Sequence, residues 1–364
     1  MSSSDAVLIT GATGFVGMEV LARYLERSDR PVTALVRAGS DAAARERIDA
    51  VLANLFGARA GAFAGRVEAV AAELTAPGLG LSRRRCAELA ARVGTIVHSA
   101  ASVSFTLPLA EAQAINVDGT RRMLDFAGRC NGLNRYAHLS TAYVAGTFDG
   151  PFGEGDVDLG QSFHNTYESS KLEAEQLVRG SDGLPWTILR PSIVVGDRRS
   201  GWTYAFNVLY WPLRAFSRGL FKSVPAVASA PVDVVPIDYV ADATYELCSS
   251  GADGCYHLTA GANASTIGEI AAAASRYFNR PLPEVVHPAE FEGRGEGVLE
   301  GSRAYFPYFS VRSTFDDSRA RARLVPAGLS VTPLREYMDR LLDFATRSRW
   351  GKRPIGRSEA MASS

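Results

Sequence analysis

The stretch that decides the fold is residues 6–17, which reads AVLITGATGFVG. It begins with a short apolar run typical of a buried strand, passes glycines at 11, 14 and 17, and leads into apolar residues at helical spacing. Strand, glycine turn and helix in this order are the context that a dinucleotide fingerprint requires. Gly11 permits the tight turn, Gly14 lets backbone approach a pyrophosphate, and Gly17 lets the helix pack close to the sheet. The free N–H groups and positive dipole of the helix N-terminus then predict a site for the phosphates of a nucleotide cofactor.

Length and composition indicate a globular protein with room for a large core or two subdomains. The chain has 364 residues, of which 46% are hydrophobic, and its formal net charge is +0. This balance gives no global attraction to nucleic acid, so no nucleic-acid partner is expected. The N-terminus is short and polar, and no apolar run is long enough to span a membrane. We therefore expect a cytoplasmic enzyme, in which the four cysteines are structural thiols without metal-type spacing: Cys86, Cys130, Cys248 and Cys255.

Strand-like and helix-like segments alternate along the first part of the chain, which predicts an α/β fold with a doubly wound parallel Rossmann sheet. The alternation breaks after residue 196, where aromatic-rich segments indicate a smaller C-terminal substrate-binding subdomain. The predicted Rossmann domain covers 1–196, with 232–260 returning to it, and the subdomain covers 197–231 and 261–346. We expect a disordered tail at 347–364 because it is basic and polar. The strands and the helix next to the predicted site are expected at 32–37, 67–74, 95–101, 136–144 and 186–195, and at 110–129.

Tyr167 and Lys171 are four residues apart in a predicted helix, which places both side chains on one face. A cation beside a phenol lowers the pKa of the phenol, and such a tyrosine can exchange a proton near neutral pH. The helix follows a strand whose end carries Ser140 and Thr141. Because the carboxyl ends of parallel strands face the cofactor crevice, a hydroxyl there could hold a substrate oxygen beside Tyr167.

Several motifs together resemble the extended short-chain dehydrogenase/reductase family over most of residues 6–260. They are TGATGFVG (10–17), HSAA (98–101), NVDGT (116–120), LSTAYV (139–144), YESSK (167–171) and LRPSIVVG (189–196). The resemblance implies that Thr141, Tyr167 and Lys171 are the catalytic trio, with Tyr167 as general acid and Lys171 also binding the nicotinamide ribose. It leaves open whether Asn116 supports the site or is a helix-surface amide. The resemblance also implies the cofactor-binding residues Thr10, Gly11, Thr13, Gly14, Phe15, Val16, Gly17, Ala100, Ala101, Pro191, Ser192, Ile193 and Val194, the last four bordering the nicotinamide.

The end of the second strand decides between the two nicotinamide cofactors. An acidic residue there would bind the ribose 2′-hydroxyl, but this sequence has Arg37, followed by Arg45 and Arg47. A guanidinium suits a 2′-phosphate, so we predict NADPH, with Arg37 and Arg47 in its site. The alternative is that Arg37 only ends a strand. Glu73 and Leu74 occupy the place where the family often has an aspartate and an apolar residue beside adenine.

Four segments look more like the fatty acyl-CoA reductase and thioester reductase branch than like sugar epimerases. They are ALVRA (34–38), LTAPGLGLS (74–82), AASVSF (100–105) and VDVVPIDYVADA (232–243). This resemblance implies reduction of an acyl thioester, on coenzyme A or a carrier protein, to an aldehyde or further to an alcohol. From the length of the chain we expect neither the extra C-terminal domain of eukaryotic fatty acyl-CoA reductases nor an adenylation or carrier domain, so that the acyl group would arrive already activated.

The segment 204–224 bears on the substrate. Its apolar residues at helical spacing could roof an acyl tunnel, and its basic residues could meet phosphates of CoA or a carrier, or an anionic membrane surface. The alternative is a core helix with a solvated charged face. Pro212 is expected to begin or kink this helix. The apolar residues are Phe206, Leu209, Tyr210, Leu213 and Phe216, and the basic ones are Arg214, Arg218 and Lys222.

No metal site is predicted. Asp233 and Asp238 have apolar neighbours and are expected in turn and cap roles, and the histidines lack metal-ligand spacing. His164 is the histidine we place nearest to substrate. The competing functions are a ketone or alcohol oxidoreductase acting on a steroid-like or β-keto substrate with the same trio, a non-catalytic NADP-binding regulator, and a sugar-nucleotide epimerase or dehydratase. The oligomeric state stays open, with a homodimer as one option.

Overall fold

A computed structural model describes residues 5–206, 208–220, 223–286 and 307–363. The strands are β1 (Ala6–Thr10), β2 (Val32–Val36), β3 (Val67–Ala71), β4 (Val93–His98), β5 (Arg135–Leu139), β6 (Gly150–Phe152), β7 (Trp186–Pro191), β8 (Ile193–Val195), β9 (Ser223–Pro225), β10 (Pro231–Val232), β11 (Val234–Pro236), β12 (Gly254–Leu258), β13 (Ser265–Thr266), β14 (Glu284–Val286) and β15 (Ser313–Phe315).

The helices are α1 (Phe15–Arg27), α2 (Asp41–Phe56), α3 (Gly61–Ala64), α4 (Arg83–Ala90), α5 (Leu109–Gln113), α6 (Gly119–Ala127), α7 (Thr166–Arg179), α8 (Tyr210–Ser217), α9 (Ile237–Ser249), α10 (Ile267–Phe278), α11 (Ser318–Leu324), α12 (Met338–Arg347) and α13 (Arg357–Ala362). A single π-helical turn, Ala114–Asp118, joins α5 to α6. Short 3₁₀ turns lie at Gly57–Arg59, Pro77–Gly80, Ala142–Ala145, Gly261–Asn263 and Leu334–Glu336.

Seven strands form one parallel sheet in the order β12-β7-β5-β4-β1-β2-β3. Both faces are covered: Val7 and Ile9 of β1 pack with α1, α2 and α9, whereas Leu8 packs with α4, α6 and α7. The predicted doubly wound α/β fold is therefore confirmed. The strand order reverses between β1 and β4, and in such sheets ligands bind outside the carboxyl ends of the strands at that point.

The five strands predicted next to the site all leave the large sheet earlier than the sequence pattern indicates, at Val36, Ala71, His98, Leu139 and Pro191. β1 ends at Thr10 and β4 ends at His98, which pair with each other, and β5 extends one residue further, to the pair of Leu139 and Leu189. The predicted strand 186–195 divides at Ser192: β7 stays in the large sheet, and β8 pairs with β11 instead. The residues just past these ends consequently form loops along one edge of the sheet.

A second apolar core lies beside this edge and joins α8, α10 and α12. It includes Leu213, Ile270 and Leu341, together with Ile193 of β8. Most of this core comes from the segments that the sequence assigned to substrate binding, and residues 142–145 and β8 add side chains from the predicted Rossmann domain. The division of the chain into domains stays a prediction. Within the described ranges, none of the helices combines the length and the apolar character needed to cross a membrane.

The C-terminal tail is ordered over residues 347–363, so the prediction that it is disordered is wrong for this part. Arg357 begins α13, and its side chain pairs at 2.8 Å with Glu19, which is buried in α1. The backbone N–H of Arg357 also donates to the side chain of Asn54 at 2.8 Å, and Ala360 is fully buried. A basic, polar composition suggested a solvated tail, but Arg357 neutralises a buried carboxylate and thereby anchors the helix.

Candidate active site

The glycine turn between β1 and α1 shows the close contacts that its sequence predicts. Gly11 has a φ of +74°, and a Cβ atom there would lie 2.8 Å from the backbone nitrogen of Ala100. A Cβ on Gly17 would lie 2.1 Å from the carbonyl oxygen of Gly11, so α1 packs directly on the turn. Gly14 is the N-cap of α1 and has no side chain to bond the first N–H groups. These N–H groups remain available for an anion such as a pyrophosphate.

One cleft of about 780 Å³ runs along the carboxyl edge of the sheet, from the end of β2 to the start of α7. Every residue assigned above to cofactor binding or to catalysis lines this cleft. Its walls also contain residues that the sequence did not single out for the site: Leu35, Val36, Ala72, Thr75, Ser99, Val103, Phe105, Ile115, Leu139, Tyr143, Tyr204, Ala205, Val208 and Tyr308.

Two arginines lie at the β2 end of the cleft. The guanidinium of Arg47 donates to the carbonyl oxygen of Arg37 at 2.5 Å and to the hydroxyl of Thr13 at 3.2 Å. It thereby links the end of β2 to the glycine turn. Arg37 itself is exposed in the cleft. Arg45 is directed away, because it bonds Asp49 and the carbonyl oxygen of Val67 on the far side of α2. The structure thus separates Arg47 from Arg45, which are close in sequence.

Glu73 lies opposite these arginines, in the loop after β3. One of its carboxylate oxygens accepts from the backbone N–H of Thr75 at 3.0 Å and from the Thr75 hydroxyl at 2.8 Å. These hydrogen bonds lower the pKa of Glu73, which keeps the carboxylate charged. Leu74 follows it in the cleft wall and packs on the core beneath the sheet.

Thr141, Tyr167 and Lys171 converge at the opposite end of the cleft. Thr141 follows β5, and α7 begins next to Tyr167 because the side chain of Asn165 caps it by accepting from the backbone N–H of Glu168 at 3.1 Å. The Tyr167 hydroxyl is hydrogen-bonded to Thr141. Lys171, one turn further along α7, is buried, and its ammonium donates to the carbonyl oxygen of Leu139 at 2.6 Å. Two hydroxyl groups and an ammonium are thus held at one edge of the sheet.

The pKa of Tyr167 differs from the sequence-based expectation. Burial raises it to about 12, and the hydrogen bond from Thr141 opposes this rise only in part. The expected lowering of this pKa by Lys171 is wrong in this structure, where the ammonium of Lys171 donates to the Leu139 carbonyl at the end of β5. Burial also lowers the pKa of Lys171 from 10.5 to about 8. At neutral pH the phenol therefore carries its proton, and the lysine is an ammonium.

Two buried histidines lie beneath Lys171. Its ammonium is 3.3 Å from Nε2 of His138, and the ring centres of His138 and His98 are 5.5 Å apart. Nδ1 of His98 bonds the Thr10 hydroxyl at 2.8 Å, and this hydroxyl accepts from the backbone N–H of Ala100 at 3.1 Å. Burial lowers the pKa of both rings, so they are neutral. These two neutral rings lie between Lys171 and Thr10, the residue before the glycine turn.

Asn116 supports this site from the π-helical turn. Its side chain accepts from the backbone N–H of Ser102 at 2.8 Å and donates to the Ser102 carbonyl at 3.1 Å and the Ser170 hydroxyl at 2.9 Å. It is 2% exposed, which rules out the alternative of a surface amide. A π turn re-aims a side chain within a helix and is frequent at functional sites. Here it fixes the loop after β4 against α7.

The helix predicted within 204–224 forms as α8, with Pro212 in its first turn, where proline is tolerated. Leu213 and Phe216 are buried in the second core, so the apolar face is partly a packing face. Arg218 is exposed, whereas Lys222 lies outside the described residues. Contact of this basic face with phosphates or a membrane stays a prediction.

The two aspartates and His164 have structural partners. Asp233 accepts from the backbone N–H groups of Ala260 and Gly261 at 2.7 and 2.9 Å, and Asp238 pairs with Arg198 at 3.0 Å. His164 bonds Glu168 outside the cleft lining. No cluster of metal-ligand side chains exists in the described part of the chain.

Comparison with known proteins agrees with this geometry. The family model described as "Male sterility protein", an NAD-binding family, matches residues 9–244, which is more than half of the chain and contains both the glycine turn and the trio. The chain is 34% identical over 246 residues to the isonitrile lipopeptide synthase of Streptomyces coeruleorubidus, a match that covers 67% of this chain and 16% of the synthase. It is 29% identical over 269 residues to fatty acyl-CoA reductase 1 of Pongo abelii, which covers 64% of this chain and 52% of the reductase.

The crystal structure of the terminal R domain from the myxalamid PKS-NRPS biosynthetic pathway superposes with a TM-score of 0.81 at 25% identity. This match covers 97% of the chain and 93% of that domain. The chain therefore spans nearly the whole of a solved R domain but at most about half of the two curated relatives. The chain belongs to the male sterility protein family, within the thioester reductase branch of the extended short-chain dehydrogenase/reductases, a family of nicotinamide-dependent oxidoreductases.

Proposed function

We propose that this chain is an NADPH-dependent reductase that converts an acyl thioester to an aldehyde and a free thiol. The observation that carries the proposal is the arrangement of the cleft. It has an anion-binding glycine turn and two arginines toward one end, and the paired hydroxyls of Thr141 and Tyr167 at the other. The names of the relatives support the thioester, since they include a fatty acyl-CoA reductase and a lipopeptide synthase.

The donors in the cleft fit NADPH in kind and order. The N–H groups of the turn at Gly14 suit the pyrophosphate, and Arg37 and Arg47 suit the 2′-phosphate. Lys171 would bind the ribose next to the nicotinamide, whose ring would border residues 191–194, and all of these residues line the cleft. When bound, the reduced nicotinamide supplies a hydride to the carbonyl carbon of the substrate.

The residues of this chain supply the proton and the electrostatic stabilisation. Thr141 and Tyr167 donate hydrogen bonds to the carbonyl oxygen and stabilise the negative charge that develops there. Because burial keeps Tyr167 protonated, it can pass its proton to this oxygen as a general acid. One hydride and one proton give a hemithioacetal, from which the C–S bond breaks to release aldehyde and thiol.

The substrate arrives already activated in this proposal, as a thioester of coenzyme A or of a carrier protein. A second round on the aldehyde would give the alcohol with a second equivalent of NADPH. A ketone or alcohol oxidoreductase would use the same trio but would release no thiol.

A substrate panel tests the proposal. The purified protein is mixed with NADPH and with acyl-CoA or acyl-carrier thioesters, and NADPH absorbance and free thiol are followed together. We expect one equivalent of thiol for the first equivalent of NADPH, and half an equivalent per NADPH if the alcohol is the product. Reduction of ketones without thiol release, or conversion of a nucleotide sugar without net NADPH consumption, would replace the proposal by the corresponding alternative.

A further inference from the structure

A second cavity, of about 90 Å³, lies beyond the end of the cleft that contains Thr141 and Tyr167, which we call the substrate end. It lies between α8 and α10, and its wall is formed almost entirely by apolar side chains such as Leu213, Phe216 and Ile270. Ile193, Val208 and Tyr308 line both this cavity and the cleft. A single layer of side chains therefore separates the two spaces.

Within this layer, the position of Tyr308 is fixed by hydrogen bonds to α7 and to its N-cap residue. Its hydroxyl donates to the carboxylate of Glu168 at 2.5 Å and accepts from the side-chain amide of Asn165 at 2.8 Å. Glu168 is fully buried and follows Tyr167 directly in α7. The ring of Tyr308 stacks on Phe105 with ring centres 5.3 Å apart, and Phe105 lies 5.9 Å from the ring of Tyr167. An aromatic row thus leads from the proton donor to the second cavity.

The chemistry of the cavity selects one occupant. Its wall offers almost no polar partner, so the amides and phosphates of a pantetheine arm would lose their hydrogen bonds there. A pocket with such an apolar wall favours hydrocarbon: one of about 150 Å³ accommodates benzene, so by proportion this one holds roughly four carbons. On α10, Ala271 and Ala274 line the wall, and their short side chains leave this space open.

We propose that this cavity binds the distal, saturated end of the acyl chain and that Tyr308 forms its entrance. The inference rests on the proposed function and adds the substrate class: straight aliphatic acyl groups long enough to pass Tyr308. Acyl groups with polar ends, such as amino acids or peptides, would place those ends in a wall without partners.

The first test fills the cavity from α10. Ala271→Leu adds three carbons to the wall, and Ala272→Leu makes the same change on the same helix at a residue outside the cavity lining. We expect Ala271→Leu to lower the ratio of kcat/KM for decanoyl-CoA to that for butyryl-CoA at least about tenfold, since one methylene in a pocket already decides 10- to 200-fold. Ala272→Leu should keep the wild-type ratio.

A binding measurement keeps the test independent of turnover and of folding defects. Decanol should raise the melting temperature of the wild type and of Ala272→Leu, and raise that of Ala271→Leu much less. If no thioester of any length consumes NADPH, the proposed function fails and the inference fails with it. If thioesters are reduced but Ala271→Leu keeps the wild-type chain-length ratio and decanol shift, the inference alone is wrong.

The second test examines the entrance. Tyr308→Phe keeps the ring but removes its hydrogen bonds to Glu168 and Asn165. We expect KM for decanoyl-CoA to rise several-fold more than KM for butyryl-CoA, because the tether orders the entrance that only the long chain passes. An equal change in both values, or a fall in kcat alone, would show that Tyr308 has a structural or catalytic role rather than a role at the entrance.

Discussion

The two ends of the cleft are built in different ways. At the nucleotide end, the residues follow successive parallel strands, so that Gly11, Glu73 and Ala100 come together because β1, β3 and β4 end at one edge of a sheet. At the substrate end, α8, α10 and Tyr308 belong to separate segments that meet only through the second apolar core. The first arrangement follows from the repeated strand–helix units of a parallel sheet. The second depends on packing between segments that are far apart in the chain.

This difference implies a division of roles that mutations can examine. Changes at the nucleotide end and in the trio should affect every substrate alike, whereas changes beyond Tyr308 should affect acyl chains by length. Four further predictions, ordered from the largest expected effect to the smallest, test this division of roles.

The largest effect is expected from Tyr167→Phe. Because this variant lacks the proposed proton donor, kcat should fall at least about 100-fold for every chain length, which corresponds to about 2.7 kcal/mol in the activation barrier. The affinity for NADPH should stay nearly intact. Steady-state kinetics and fluorescence titration with NADPH measure the two quantities. Tyr204→Phe removes an exposed phenol hydroxyl at the cleft mouth and serves as the control. A fully active Tyr167→Phe would show that the proton donor is another group.

The nucleotide end could be predicted largely from sequence because strand, glycine turn and helix have local signals and parallel strands end together. The family, the enzyme class and the fold class inferred in this way are confirmed. The sequence could not show which way a side chain points from its helix, or which residues far apart in the chain are in contact. The prediction places Arg47 but not Arg45 in the cofactor site, and the structural reason is seen only when Arg45 is found bonded to the Val67 carbonyl and Arg47 to the Arg37 carbonyl. Tyr308 has no motif and meets Glu168 from a position 140 residues away. The tail was mispredicted for the same reason, because the partner of Arg357 is a buried glutamate in α1.

The next effect concerns the glycine turn itself. Gly17→Ala places a methyl group against the Gly11 carbonyl, so we expect the free energy of unfolding to fall by about 2 kcal/mol and NADPH binding to weaken as α1 shifts. Gly61→Ala is the matched control, since no atom lies within 4 Å of the added carbon. There the gain in helix propensity should leave stability equal or slightly higher. Chemical denaturation of both variants measures this, and equal losses would mean that close packing of α1 on the turn is unimportant.

Arg37→Ala should alter cofactor choice. Removing one charged hydrogen-bond donor should raise the Kd for NADPH about tenfold, as loss of a bond to a charged group predicts, and leave the Kd for NADH nearly unchanged. Arg45→Ala removes a guanidinium from the same region but on the far side of α2, and it should change neither value. Calorimetric titration with both cofactors is the measurement. Equal weakening of NADPH and NADH by Arg37→Ala would remove the 2′-phosphate argument.

The smallest effect is a pH dependence that comes from Lys171. Its pKa of about 8 in the folded chain predicts that kcat is halved near pH 8 as the ammonium loses its charge, while Tyr167, with a pKa of about 12, stays protonated.

The stability of the folded chain should change with pH in the opposite direction to kcat. Between about pH 8 and 10.5 the unfolded chain holds a proton on this lysine that the folded chain has released, so the Lys171 contribution to stability rises with pH. Parallel profiles of kcat and of melting temperature for the wild type and Lys171→Met separate the two effects. Because Lys171 belongs to the trio and not to the acyl cavity, butyryl and decanoyl thioesters should show the same midpoint, and a midpoint that shifts with chain length would contradict the proposed division between the two ends of the cleft.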